Sequence, residues 1–187
     1  MNIPFSQPDI SQAEIDSVVE TLKSGWITTG PKTKEFENKI SEYIGIKKTA
    51  CLSSATAAME MTLRLLDIGH GDEVIVPAYT YTASCSVIYH VGATPVMVDI
   101  QKSVPEMDYD LMEKSITENT KAIIVVDLAG IICDYGKVYD IVNRNESKFA
   151  VSEDNDIQKR LGRIAVIADY SHGFGDVRNG TKSGMHA

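Results

Sequence analysis

Two phosphate-binding fingerprints are missing from these 187 residues. Neither GxxxxGK[ST] nor GxGxxG occurs, which excludes a P-loop and speaks against a dehydrogenase-like dinucleotide binder. Cysteine is scarce: Cys51, Cys85 and Cys133 are an odd number without CxxC spacing. That pattern excludes a disulfide framework and a thiolate zinc site, and it predicts reduced, buried thiols. Positive charge is in deficit, with 18 Lys and Arg against 26 Asp and Glu and a net charge of -8. A nucleic-acid surface needs the opposite balance, so no nucleic-acid partner is expected. No apolar run approaches membrane-spanning length, and MNIPFSQPDI lacks the basic start and apolar core of a signal peptide. The expectation is a cytoplasmic protein with no membrane partner and no metal.

What is present is enough apolar material, 43% of residues, for one substantial core. Ser11 to Glu14 forms a capping box, after which Ile15, Val18, Val19 and Leu22 recur at helical spacing until Gly25. Gly and Pro interrupt residues 25–31, which predicts a loop, and a second helix opens at Pro31 with Phe36, Ile40 and Ile44 on one face. Short β-like runs then alternate with helical stretches. Strands are expected at Lys48 to Leu52, Glu73 to Val76, Thr94 to Val98, Ala122 to Val126 and Ile164 to Ala168. Helices are expected at Thr56 to Leu66, Thr82 to Val91, Asp108 to Ile116 and Asp134 to Asn143. Such repeats imply an α/β, three-layer, mostly parallel sheet with right-handed crossovers. The polar stretch 143–160 reads as a surface excursion, and the turn-rich end of the chain looks like an incomplete domain.

Three loops fall on the carboxyl edge of that sheet, where ligands of open α/β folds sit. Ser53 to Thr56 joins small residues and hydroxyls to a helix start, which suits an anion, although Ser and Thr there also serve as plain caps. Tyr81, after the run ending at Val76, can lie flat on a planar ring or simply pack at a helix start. Asp169 follows the apolar run 164–168, with His172 three residues on, and either presents an acid to a bound group or caps a turn. Anion cup, aromatic face and carboxylate together suit a phosphorylated heterocycle whose ring nitrogen must stay protonated. Pyridoxal phosphate has that chemistry.

SGWITTGP (24–31), SSATAAM (53–59), GDEVIVPAYTYTAS (71–84), GATPVMVDI (92–100), TKAIIVVDLAG (120–130) and VIADYSHGFG (166–175) stand in an order that resembles the DegT/StrS family of sugar aminotransferases. These are fold-type I enzymes that use pyridoxal 5'-phosphate on nucleotide-linked keto sugars, in polysaccharide or lipopolysaccharide sugar biosynthesis. The resemblance implies that Ala55 and Thr56 hold the cofactor phosphate, that Tyr81 stacks on its ring, and that Asp169 pairs with the ring nitrogen. It implies that His172 reaches the ring hydroxyl and that Trp26, Thr29 and Gly30 lie near the substrate. Glutamate as amino donor and a homodimer are implied too. The expected organisation is an amino-terminal helix and substrate-side loop over 1–33, then an incomplete cofactor-binding large domain over 34–187, truncated at its carboxyl end, with the small carboxyl-terminal domain absent.

Three features depart from the family pattern. Asp127 stands where most relatives carry His, Tyr170 replaces a small residue, and 143–160 looks inserted. The family's covalent lysine lies well beyond the DxxH segment, whereas the last lysine here is Lys182. The 187 residues alone are therefore expected to lack transaminase activity. Two other readings are a noncatalytic remnant that binds a partner or a phosphorylated ligand, and the sugar dehydratase branch of the same family.

Overall fold

The computed structural model describes residues 7–185. Residues 1–6, most of the amino-terminal stretch without signal-peptide character, lie outside the described residues. The chain forms two compact units, Met1–Cys51 and Leu52–Ala187. The second helix and the segment after it therefore group with the first helix, whereas the sequence suggested a division near residue 33.

In the first unit, α1 (Gln12–Ser24) carries the expected capping box: Ser11 Oγ accepts from the Ala13 amide at 3.2 Å, and the Ser11 amide donates to Glu14 at 2.6 Å. Gly25 ends it at φ 74°, a left-handed conformation that glycine adopts without strain. Ile15, Val18, Val19 and Leu22 form the predicted apolar stripe, yet all remain exposed. Helix α2 (Pro31–Ile44) starts at its proline as expected, and of its apolar face Ile44 is buried while Phe36 is exposed.

The second unit is a four-stranded parallel sheet. Its strands are β1 (Glu73–Pro77), β2 (Thr94–Val98), β3 (Thr120–Val126) and β4 (Ala165–Asp169), in the order β2-β1-β3-β4. Alternation along the strands builds two cores. Ile75, Ile123, Val125 and Val166 face a cluster with Met112, Val138, Ile141 and Val142, from α5 (Tyr109–Lys114) and α6 (Tyr135–Arg144). Val74, Val76, Ala122, Ile124 and Ile167 face the other way, onto Met59, Leu63, Val87 and Ile88 of α3 (Ala55–Leu65) and α4 (Thr82–His90). Helices thus cover both faces, giving the three layers the alternating pattern predicted.

One expectation fails. Residues 48–52 are not a strand, because an apolar run without a ladder partner among the described residues cannot satisfy its backbone groups as a sheet. In the turn-rich end, β5 (Val177–Arg178) and β6 (Thr181–Lys182) pair as a short antiparallel hairpin. The polar excursion contains one more helix, α7 (Asp156–Leu161), whose Gln158 is buried. The Asn155 and Gln158 side-chain amides donate to the Leu65 and Leu66 carbonyls, closing the end of α3. Among the described residues no helix is long and apolar enough to cross a membrane.

The three cysteines are free, but only Cys133 is fully buried; Cys51 and Cys85 are half-buried, against the expectation for all three. Burial pushes the Cys133 thiol far above its ordinary value, and Cys85 upward to a lesser degree. Thiolate is the reactive form. Iodoacetamide at pH 8 should therefore modify Cys51 before Cys85 and leave Cys133 untouched until the fold opens, an order that mass spectrometry reads directly.

Candidate functional site

The sheet sends α4 to one face after β1 and α6 to the other after β3. The carboxyl ends of β1 and β3 therefore flank the point where the winding reverses, and a crevice opens there. A cavity of about 240 Å³ lies at this point, lined by Ala55, Thr56, Thr80, Tyr81, Leu128, Asp169 and His172, with Met59, Ala83, Val126 and Ser171. A second, of about 350 Å³, shares Ala55, Met59, Asp169 and Ser171 with it and adds Leu52, Ser54, Ala58, Tyr170 and Phe174. Asp169 stands between the two.

The anion end is the start of α3. Ser54 caps the helix: its Oγ accepts from the Ala57 amide at 3.0 Å and its carbonyl from the Ala58 amide at 3.1 Å. The plain capping reading therefore holds for Ser54. The amides of Ala55 and Thr56, in the first turn, have no acceptor within the helix and remain for an anion.

The carboxylate end is the last residue of β4. Asp169 is nearly buried; Oδ1 accepts from the Ser171 amide at 3.2 Å and hydroxyl at 2.6 Å, and Oδ2 accepts from Ser84 Oγ at 2.9 Å. Tyr81, which precedes α4, is 75% exposed, so its ring is not a packed core aromatic. His172 Nδ1 faces the Ala129 amide at 3.5 Å. An amide can only donate, so Nδ1 is the acceptor and the ring hydrogen sits on Nε2. Ala129 reaches this position at φ 55°, a left-handed conformation that a non-glycine residue seldom adopts.

Trp26, Thr29 and Gly30 share one loop of the first unit. The Trp26 indole N–H donates to the Thr29 carbonyl at 3.0 Å and the ring lies over Gly30, where a Cβ would come within 2.1 Å of Nε1. Only glycine fits beneath that ring.

Asp127 is fully buried, with its amide donating to the Asp169 carbonyl at 2.9 Å. Its Oδ1 accepts from the Cys133 amide at 3.0 Å and Tyr135 Oη at 3.1 Å, its Oδ2 from Ser183 Oγ at 2.8 Å. Gly173 packs on it so closely that a Cβ would stand 2.9 Å from the Asp127 Cβ. Beside it Arg178 donates to Glu106 at 3.1 Å and to the Ile132 carbonyl, while Tyr109 Oη donates to Glu106 and accepts from the Asp134 amide. The β5–β6 hairpin is thereby tied to the loop after β3, with the His172 segment between them. Tyr170 lines the second cavity and not the one with Tyr81 and His172.

Burial raises both Tyr109 and Tyr135 well above the ordinary tyrosine value of 10.0, with Glu106 adding at the first and Asp127 at the second. A group raised in the fold contributes stability that is intact below its unfolded value and is lost as pH rises past it. Alkaline titration should therefore show stability falling above about pH 10, with the last two phenolates appearing in ultraviolet difference absorbance together with loss of helical circular dichroism.

Sequence reading missed Ser84, Ser171, Ser183 and the role of Asp127. Ser84 did leave a trace, since it occupies the stripe of α4 that buries Val87 and Ile88.

A three-layer parallel sheet with a helix start, an exposed aromatic and a held carboxylate around its switch point has the fold of a pyridoxal phosphate-dependent transferase of fold type I. The chain belongs to the DegT/DnrJ/EryC1/StrS aminotransferase family, whose model matches residues 8–187; pyridoxal 5'-phosphate is the cofactor of this family. It is 43% identical over 173 residues to the UDP-4-amino-4-deoxy-L-arabinose–oxoglutarate aminotransferase of Shewanella sediminis, covering 92% of this chain and 40% of that one. It is 58% identical, with a TM-score of 0.97, to a protein of Streptococcus pneumoniae named as a sugar aminotransferase, Spr1654, solved in its PLP form. That match covers 100% of this chain and 47% of the other. A GDP-4-keto-6-deoxymannose-3-dehydratase, 22% identical with a TM-score of 0.81 over 98% of this chain and 45% of its own, shares the fold. The chain thus spans under half the length of these relatives.

Proposed function

We propose that these residues are the cofactor-binding part of an aminotransferase that moves an amino group from glutamate to a nucleotide-linked keto sugar, as a cytoplasmic homodimer. In this reading the second unit is the cofactor domain, and Trp26, Thr29 and Gly30 of the first unit serve the substrate side. The observation that carries it is the shared cavity: Ala55 and Thr56 at one wall and Asp169 at another, with Tyr81 and His172 around the same space. A phosphorylated, nitrogen-containing ring fits that donor set.

Each residue has a stated task. The Ala55 and Thr56 amides bind the phosphate, with no lysine or arginine among the residues lining the cavity. Tyr81 covers a ring face, and Asp169 holds the proton on the ring nitrogen. His172, with its hydrogen on Nε2, donates toward the ring hydroxyl. The cofactor, when bound, supplies an electron sink for the carbon that gains or loses the amino group.

Titration of the 187-residue chain with pyridoxal phosphate, followed by the cofactor's absorbance, tests this. The phosphate ester should bind at least about tenfold tighter than pyridoxal, the equivalent of one charge-assisted hydrogen bond. Equal affinity for the two, or none for either, refutes the reading. No lysine of the described residues, Lys182 included, lines either cavity, so the same reading takes no covalent lysine from these residues. The chain alone should then show no turnover of glutamate and keto sugar, and sustained transamination by it overturns that part.

A further inference from the structure

The hydroxyl of Ser84 is fully buried and donates to Asp169 Oδ2 from a different element, 85 residues away in sequence. A carboxylate can only accept, so the single hydrogen of Ser84 is committed to it. Thr80 Oγ1 lies 3.1 Å from Ser84 Oγ. With the Ser84 hydrogen given away, Thr80 must be the donor in that contact. The bonds run one way, Thr80 to Ser84 to Asp169, from the wall of the cavity to the acid.

Ser171 and Ser84 do different things to this carboxylate. Ser171 lies two residues after Asp169 and forms the local turn that Asp makes readily by itself. Ser84 instead sits on a helix, beside Val87 and Ile88 at positions that face the core. A hydroxyl at such a place is unfavourable unless it has a partner, and an apolar side chain would fill the site without one. Its partners are Asp169 and Thr80.

We propose that Ser84 is a positioning residue for Asp169: it pins Oδ2 so that the carboxylate meets the ring nitrogen of the bound cofactor, and Thr80 fixes the direction of its proton. This rests on the cofactor reading above. The seryl hydroxyl touches no part of the cofactor in this scheme; it acts through the acid.

The test uses the 187-residue chain and pyridoxal phosphate labelled with nitrogen-15 in the ring. Ser84→Ala should weaken binding about tenfold, as expected for loss of one hydrogen bond to a charged group. It should also move the ring-nitrogen resonance toward that of unprotonated pyridine. Thr80→Val, at a half-buried position with volume conserved, should act in the same direction by about twofold. Ser86→Ala, on the same helix with its hydroxyl on the Ala83 carbonyl, should change neither. Should Ser84→Ala fail to fold, as judged by circular dichroism, the resonance shift in Thr80→Val decides. Wild-type affinity and resonance in the folded variants, beside weakened binding in Asp169→Asn, overturn this inference alone. Wild-type binding in Asp169→Asn overturns the cofactor reading and this inference with it.

Discussion

Asp169→Asn weakens pyridoxal phosphate binding by the chain by about 100-fold, close to 2.7 kcal/mol at 1.36 kcal/mol per decade. Removing one member of a buried charge pair leaves the other uncompensated, and measured losses of this kind run to about 3–5 kcal/mol. The lower figure applies here because Asp169 lies on a cavity wall that water reaches. Asn has nearly the same shape: its oxygen keeps the Ser171 amide and hydroxyl as donors, and the Ser84 hydroxyl can turn and accept from the side-chain nitrogen. The thermal midpoint should consequently move by less than about 3 °C, within the effect of 1 kcal/mol on a domain of this size. Calorimetric titration beside a melting curve separates the two quantities. A variant that binds within about threefold of wild type, under 1 kcal/mol, rejects the proposed pairing.

Asp127→Ala has the opposite profile, a stability loss of about 4 kcal/mol with a midpoint lowered by about 10 °C. Truncation strips the acceptor from three buried donors at once, the Cys133 amide, Tyr135 Oη and Ser183 Oγ. Each orphaned donor costs roughly 1–3 kcal/mol, reduced where water enters the space left behind. Asp127→Asn should lose only about 1–2 kcal/mol, because its remaining oxygen serves the amide while the Ser183 hydroxyl reverses. The Ala variant should also loosen the segment from Gly173 to Ser183, which packs on Asp127 at one end and bonds to it at the other. Hydrogen exchange should show that segment losing protection before the β1–β3 ladder does. Uniform loss across the unit would show that Asp127 holds the core and not this segment.

Asp127 thus has a structural task. A carboxylate at this place is an acceptor with several lone pairs, and its three donors come from the strand-following loop, from α6 and from beyond the hairpin. Sequence alone places Asp127 in a loop on the carboxyl edge of the sheet. It could not say what the acid holds, because Ser183 is 56 residues away.

Elements built from local rules matched the structure well. β2 covers Thr94 to Val98 as expected, and Asp108 and Asp134 cap α5 and α6 at the ends where the helices were expected to begin. The strand expected at 48–52 failed for a reason periodicity never carries: a strand exists only in relation to its neighbour. The hairpin over 177–182 escaped for the converse reason. Two-residue strands have no period to read, and contacts made by Arg178 and Ser183 hold the segment in place.

By itself the sequence determined the caps, the alternation that turns β1, β3 and β4 toward two cores, and the delivery of Asp169 to the sheet's carboxyl edge. Those follow from side-chain direction and backbone sterics over a few residues, which the chain carries wherever it goes. Only the tertiary structure decided that Ser84 grips that acid, that Asp127 anchors the last hairpin, and that Ala129 sets the hydrogen of His172. Each is a hydrogen bond between groups from distant parts of the chain, and its partner is chosen by which polar groups burial leaves within reach of one another.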